Sequence, residues 1–129
     1  MKRLILYCLL IVLIIGCSKD SNVLLPQDKT AYKDIAYNSL TSWEKSTIIN
    51  PNDVIINEGV YKYENNSHKI YIDSDHLIYF GLTDTTTVLF ENQKLISVLF
   101  NTTKDALLGP IDVIINPYSK KAIGGTLRF

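Results

Sequence analysis

The chain has 129 residues, with thirteen basic and thirteen acidic side chains and a formal net charge of zero. That balance, without a basic stripe or a polybasic run, excludes an electrostatic footprint for nucleic acid or for anionic lipid. Both cysteines, Cys8 and Cys17, lie in the first seventeen residues, so the sequence after them has no disulfide, no thiolate nucleophile and no cysteine-ligated metal.

Lys2 and Arg3 open the chain with positive charge, and Leu4 to Ile15 follow as twelve residues without any charge. A run of that length fits the apolar core of an export signal and falls short of the roughly 20 residues a helix needs to cross a bilayer. Next comes Leu13-Ile14-Ile15-Gly16-Cys17, which resembles the lipobox of bacterial lipoproteins. The resemblance implies cleavage between Gly16 and Cys17 and transfer of a diacylglycerol group to the Cys17 thiol. It also implies a protein of the cell envelope, extracytoplasmic and held to a membrane through that lipid. Each buried methylene adds ~0.8 kcal/mol, and stable anchoring takes at least two acyl chains. Without residues 1–16 the balance is eleven basic against thirteen acidic side chains, a net charge of −2.

The expected organisation is a signal peptide over 1–16, a lipidated cysteine and polar tether over 17–29, and a single extracytoplasmic domain over 30–129. About a hundred residues suffice for one core and are too few for several. Abundant Tyr, Ile, Val and Thr favour strands.

A helix is predicted from about Thr30 to Leu40, with Ala31, Ile35, Ala36, Ser39 and Leu40 on one face. Thr41-Ser42-Trp43-Glu44 fits a capping box, which predicts a second short helical turn holding Trp43 against the core. Asn50-Pro51-Asn52-Asp53 breaks the helix. After Asp53 the period becomes two, and strands are predicted at Lys69–Asp73, Leu77–Leu82, Thr86–Glu91, Leu95–Asn101, Ile111–Asn116 and Lys121–Phe129. Glu91-Asn92-Gln93-Lys94 supplies a tight connection between the third and fourth of these, and Asn116-Pro117-Tyr118-Ser119 a turn between the last two. Short links without intervening helices point to an antiparallel meander. The fold class expected is α+β: an N-terminal helix packed on an antiparallel β-sheet meander, preceded by a cleaved signal helix.

The stretch Val113-Ile114-Ile115-Asn116-Pro117-Tyr118-Ser119-Lys120-Lys121-Ala122-Ile123-Gly124 resembles the closing hairpin of PepSY-type domains. Asn116 stands where that pattern has Asp, and Lys120 where it has Gly. The segment from Val98 to Pro110 is similar to small lipoproteins of Gram-positive bacteria. The PepSY resemblance implies an extracytoplasmic, non-catalytic module that restrains or chaperones a peptidase, and it transfers no catalytic residue.

The sequence holds none of the motifs for phosphate-binding loops, dinucleotide folds, zinc proteases, serine hydrolases or paired-cysteine sites, and it implies no cofactor. The two histidines are His68 and His76. Asp73-Ser74-Asp75-His76 offers two carboxylates and an imidazole, yet Leu77 sits at the fifth position of a calcium loop and no glycine follows. A hairpin turn whose Asp and Ser cap their own backbone accounts for it better. Tyr61, Tyr63, Tyr71 and Tyr79 are either a ligand-binding face or half-buried strand residues. Thr102 to Pro110 is either a functional loop or one helical turn capped by Thr103 and stopped by Gly109 and Pro110. The glycosylation-type triplets Asn65-Asn66-Ser67 and Asn101-Thr102-Thr103 carry no meaning at a bacterial address. Two function classes stay open: a binding or regulatory module contacting an envelope protein, and an envelope hydrolase or metal-binding protein using His68, His76 and the acids beside them.

Overall fold

The computed structural model describes residues 26–126. The expected signal peptide, Gly16, Cys17, the tether up to residue 25 and the last three residues of the strand predicted over 121–129 lie outside the described residues.

Helix α1 spans Pro26–Ser39 and starts four residues before the expected Thr30. Proline at a first helical position costs nothing, since that N–H has no helical partner, and Asp28 in the first turn suits the positive end of the helix dipole. Helix α2, Ser42–Thr47, begins at the capping box: the Glu44 N–H donates to Thr41 Oγ1 (3.2 Å) and the Thr41 N–H to Glu44 Oε2 (2.7 Å). Trp43 is not held against the core, contrary to expectation; it is 58% exposed. Helical side chains lean toward the N-terminus, so a residue in the first turn of a six-residue helix reaches past its end.

Six strands follow: β1 Val54–Glu64, β2 Ser67–Tyr71, β3 Leu77–Leu82, β4 Lys94–Phe100, β5 Ile111–Asn116 and β6 Lys121–Gly125. A four-residue helix, α3, Asp105–Leu108, lies between β4 and β5. Asn65 (φ 53°) and Asn66 (φ 57°) form the two-residue turn between β1 and β2, a place where paired positive φ matches strand twist. The Asn116 side chain and carbonyl accept from the Tyr118 and Lys120 N–H groups, closing the expected turn between β5 and β6.

All ladders are antiparallel, consistent with an α+β fold, yet the strands do not form a simple meander. The order is β1-β2-β3-β6-β5-β4, closed into a barrel by β4 pairing with β1. β3 and β4, successive in the chain, do not pair. β1 is long enough, at eleven residues, to take β4 along Val54–Val60 and β2 along Val60–Glu64. The other closure, β3 to β6, rests on Gly81↔Gly125 and Leu82↔Gly124. Any Cβ on Gly124 would collide with the Gly81 carbonyl oxygen, so glycine is what lets these backbones meet. A bulge at Ile123, unpaired between Ile114↔Gly124 and Ile115↔Ala122, bends β6 toward that seam.

The predicted strand Thr86–Glu91 is absent. Its backbone is satisfied locally: the Thr86 N–H and hydroxyl donate to Asp84 Oδ1, the Phe90 N–H to Gln93 Oε1 and the Gln93 N–H to the Phe90 carbonyl. The tight connection expected at Glu91–Lys94 therefore joins a loop, residues 83–93, to β4. Alternating Val88 and Phe90 imitate a strand, but both are 69% exposed.

Two apolar clusters form. One takes a side chain from every strand, Tyr61, Ile70, Phe80, Leu95, Ile114 and Ile123, and fills the barrel. The other collects Ile96, Val98, Phe100, Ile111, Val113 and Ile115 from the opposite face of β4 and β5, together with Ala36 of α1. Tyr37 of α1 brings its ring to 6.2 Å from that of Phe100. β4 and β5 are thus buried on both faces, which explains their nearly unbroken apolar sequence.

Candidate binding site at the mouth of the barrel

The inward positions of the β1–β2 hairpin are Tyr61 and Tyr63 on one strand and His68 and Ile70 on the other. Register sets Tyr63 opposite His68, and His68 opposite Phe80 on β3. The rings meet: Tyr63–His68 at 5.0 Å, His68–Phe80 at 5.5 Å and Tyr61–His68 at 5.9 Å between centroids. Tyr61, buried, shares a 2.9 Å hydrogen bond between its hydroxyl and His68 Nδ1. Burial pushes the Tyr61 phenol above its ordinary range, and the neighbouring Glu91 charge adds to this. The hydroxyl therefore stays protonated.

Loop 83–93 closes over this end. The Asn92 N–H donates to the Tyr61 carbonyl and the Tyr61 N–H to the Gln93 carbonyl, both at 2.9 Å. Glu91 Oε1 accepts the Tyr63 N–H at 2.9 Å. Between loop and hairpin lies an open pocket of about 320 Å³, lined by Tyr61, Tyr63, His68, Leu82, Thr87, Leu89 and Glu91. That volume is at the small end of ligand sites, which run from about 300 to 1,000 Å³. Its lining carries one carboxylate and no lysine or arginine.

A second groove, about 410 Å³, runs between the α1–α2 junction and the β3–β6 seam. Gly81, Gly124 and Gly125 contribute to its lining beside the polar Ser39, Thr41, Glu44, Thr83 and Thr126, and among the described residues no aromatic ring lines it.

The four tyrosines do not share a face. Tyr61 and Tyr63 point into the barrel mouth, while Tyr71 and Tyr79 lie on the outer surface. There Tyr71 donates to Glu64 Oε2 at 2.7 Å, and Lys69 Nζ sits 3.3 Å from the same oxygen and 5.3 Å from the Tyr79 ring. The Tyr71 hydroxyl, then the Lys69 ammonium, holds the Glu64 carboxyl below its ordinary range. Lys69 is buried, although alternation assigns it a solvent-facing position.

The histidines are not brought together. His68 lies at one end of the β2–β3 ladder and His76 in the turn beyond its other end. Asp73 Oδ1 accepts the Asp75 and His76 N–H groups at 2.9 Å, and its carboxylate lies 2.8 Å from His76 Nδ1. These contacts, the Asp75 N–H first, hold the Asp73 carboxyl below its usual range. Among the described residues no three His, Cys, Asp or Glu side chains converge as a metal site.

The segment from Thr102 to Pro110 contains the helical turn α3, stopped at Gly109 (φ 73°). The cap expected of Thr103 is not made: the N-cap residue is Lys104, without a side-chain cap hydrogen bond, and the Thr102 hydroxyl just before it donates to Asp105 Oδ1 (2.6 Å) and accepts the Lys104 N–H (3.1 Å).

Two groups went unnoticed in the sequence. Glu91 has no motif around it, and only the loop's path brings it to the hairpin. Asp112 interrupts the apolar run Ile111–Ile115, which is a visible signal. It is 6% exposed inside the barrel, accepting from Ser97 Oγ at 2.7 Å. Burial pushes its carboxyl up to about 6, against the opposing pull of the Ser97 hydroxyl.

No family model, curated protein or solved structure matches the chain.

Proposed function

We propose that the chain is a non-catalytic binding module, exported and held at a membrane surface by a lipidated Cys17, with the barrel mouth as its ligand site. The observation that carries the binding reading is the pocket lined by Tyr61, Tyr63, His68 and Glu91. Aromatic rings supply flat contact area at low entropic cost, and a few placed polar groups orient what they hold. The anchor rests on Leu13-Ile14-Ile15-Gly16-Cys17 and its likeness to a lipobox. In this reading α1 lies across the outer face of β4 and β5 as its apolar cover. Binding is favoured over hydrolysis because a mechanism using both histidines needs them at one reacting atom, and β2 stands between them.

Intact-mass measurement on the membrane fraction tests the anchor. Wild type is expected to lose residues 1–16 and gain acyl chains, and Cys17→Ala to do neither; an unprocessed wild-type mass overturns it. A small-fragment screen by NMR on the full chain in detergent tests the site. Hits are expected to shift Tyr61, Tyr63 and His68 resonances, and hits confined to other regions overturn the mouth as the site.

A further inference from the structure

We infer that the barrel mouth accepts a quaternary ammonium group on a small ligand. The inference deepens the binding reading and rests on it. Three features of the cavity converge. Its lining includes the rings of Tyr61, Tyr63 and His68, with His68 5.9 Å from Tyr61 and 5.0 Å from Tyr63 between centroids. Ring faces carry negative potential, and a quaternary ammonium group both stacks on them and, having no N–H donors, gives up its hydration cheaply. Glu91 is the one formal charge in the lining, and it has no cationic partner among the described residues. Its Oε1 is tied to the Tyr63 N–H, which fixes the carboxylate beside the rings. The rest of the lining, Leu82, Leu89 and Thr87, suits methyl groups better than a hydrated metal ion or an anion. The lysines of this half, Lys62 and Lys69, belong to the outer surface, where each stands over a tyrosine ring, Tyr71 at 5.5 Å and Tyr79 at 5.3 Å. Positive charge is therefore kept out of the lining and negative charge admitted.

The test compares tetramethylammonium and choline with 3,3-dimethylbutan-1-ol, the neutral isostere of choline, on the full chain in detergent. Binding is followed through the Tyr61, Tyr63 and His68 resonances. The cations are expected to bind about tenfold more tightly than the isostere, the gap expected of a partly desolvated cation–π site with a nearby carboxylate. Glu91→Gln keeps an acceptor for the Tyr63 N–H and removes only the charge. It is expected to weaken the cations several-fold and to leave the isostere unchanged, and Tyr63→Leu is expected to weaken the cations as well. Competition by phosphatidylcholine added to the detergent micelles supports the inference with a lipid headgroup as the source. Choline binding that the added lipid leaves untouched supports it with a free solute. Equal binding of cations and isostere, or cation binding unaffected by Glu91→Gln, overturns the ammonium assignment while leaving a binding cavity. No response at the three rings to any probe overturns the inference and the mouth as a binding site together.

Discussion

The two halves of the barrel are built differently. β4 and β5 are buried on both faces, by the barrel interior on one side and by the cluster containing Ala36 on the other. β1, β2 and β3 have a filled inner face and an outer face of Tyr71, Tyr79, Lys69 and Glu64. The first half therefore carries most of the packing, and the second can spend its inner end on Tyr63, His68 and the cavity. A strand pair buried on both faces supports a hairpin whose tip is partly solvated, which is a common division of labour between scaffold and site.

The sharpest way to break this contrast is truncation on either side of it. Phe100→Ala removes a fully buried ring from the doubly covered half and is expected to cost about 3–5 kcal/mol. Tyr79→Ala, on the exposed outer face, is expected to cost at most about 1 kcal/mol, mainly the Lys69 stacking. Urea titration of both variants gives the answer, and equal losses sink the contrast.

Asp112 is the exception within the well-packed half. Its folded-state value, about 6, lies above the ordinary 3.8. Between those pH values the folded protein binds a proton that the unfolded chain does not. The resulting stability is full below about 3.8, declines as pH rises to about 6 and is absent above it. At about 1.4 kcal/mol per pH unit this amounts to roughly 3 kcal/mol. Asp112→Asn, which keeps an acceptor for Ser97, is expected to raise the melting temperature at pH 7 and to flatten its slope between pH 4 and 6. A lower melting temperature at pH 7 would show that the carboxylate is stabilising. Asp73 and Asp84, held below their usual range by local donors, act in the opposite sense and at lower pH.

The seam comes next in size. Gly124→Ala sets a methyl against the Gly81 carbonyl and is expected to cost about 1–3 kcal/mol. Hydrogen exchange should show the loss concentrated at Thr83, whose N–H donates to the Ile123 carbonyl at 3.0 Å. Similar in size to Tyr79→Ala is Thr41→Ala, which removes half of the capping box and is expected to cost about 1 kcal/mol in thermal unfolding.

Local chemistry was readable in the chain. The Thr41–Glu44 box, the Asn116 turn and most strand spans depend on residues within a few positions of one another, and the structure contains them. β1, Val54–Glu64, was not among the predicted strands, because Asn57, Glu58 and Gly59 interrupt its alternation. Gly59 must stay bare, since a Cβ there would strike Ile70. The false strand at Thr86–Glu91 has the right alternation, but the side chains of Asp84 and Gln93 satisfy the backbone groups that a ladder would have used.

Taken alone, the sequence determined the thiol-free domain, the near-neutral charge, the helix followed by strands and the caps and turns, all properties of composition or of neighbours along the chain. Tertiary structure decided that β3 would close on β6, that Asp112 and Lys69 would be buried, that Trp43 would not, and that Glu91 would reach Tyr63 across 28 positions. Each of these depends on which strands become neighbours in space. A two-residue period tells only that one face differs from the other; it does not say which faces will meet.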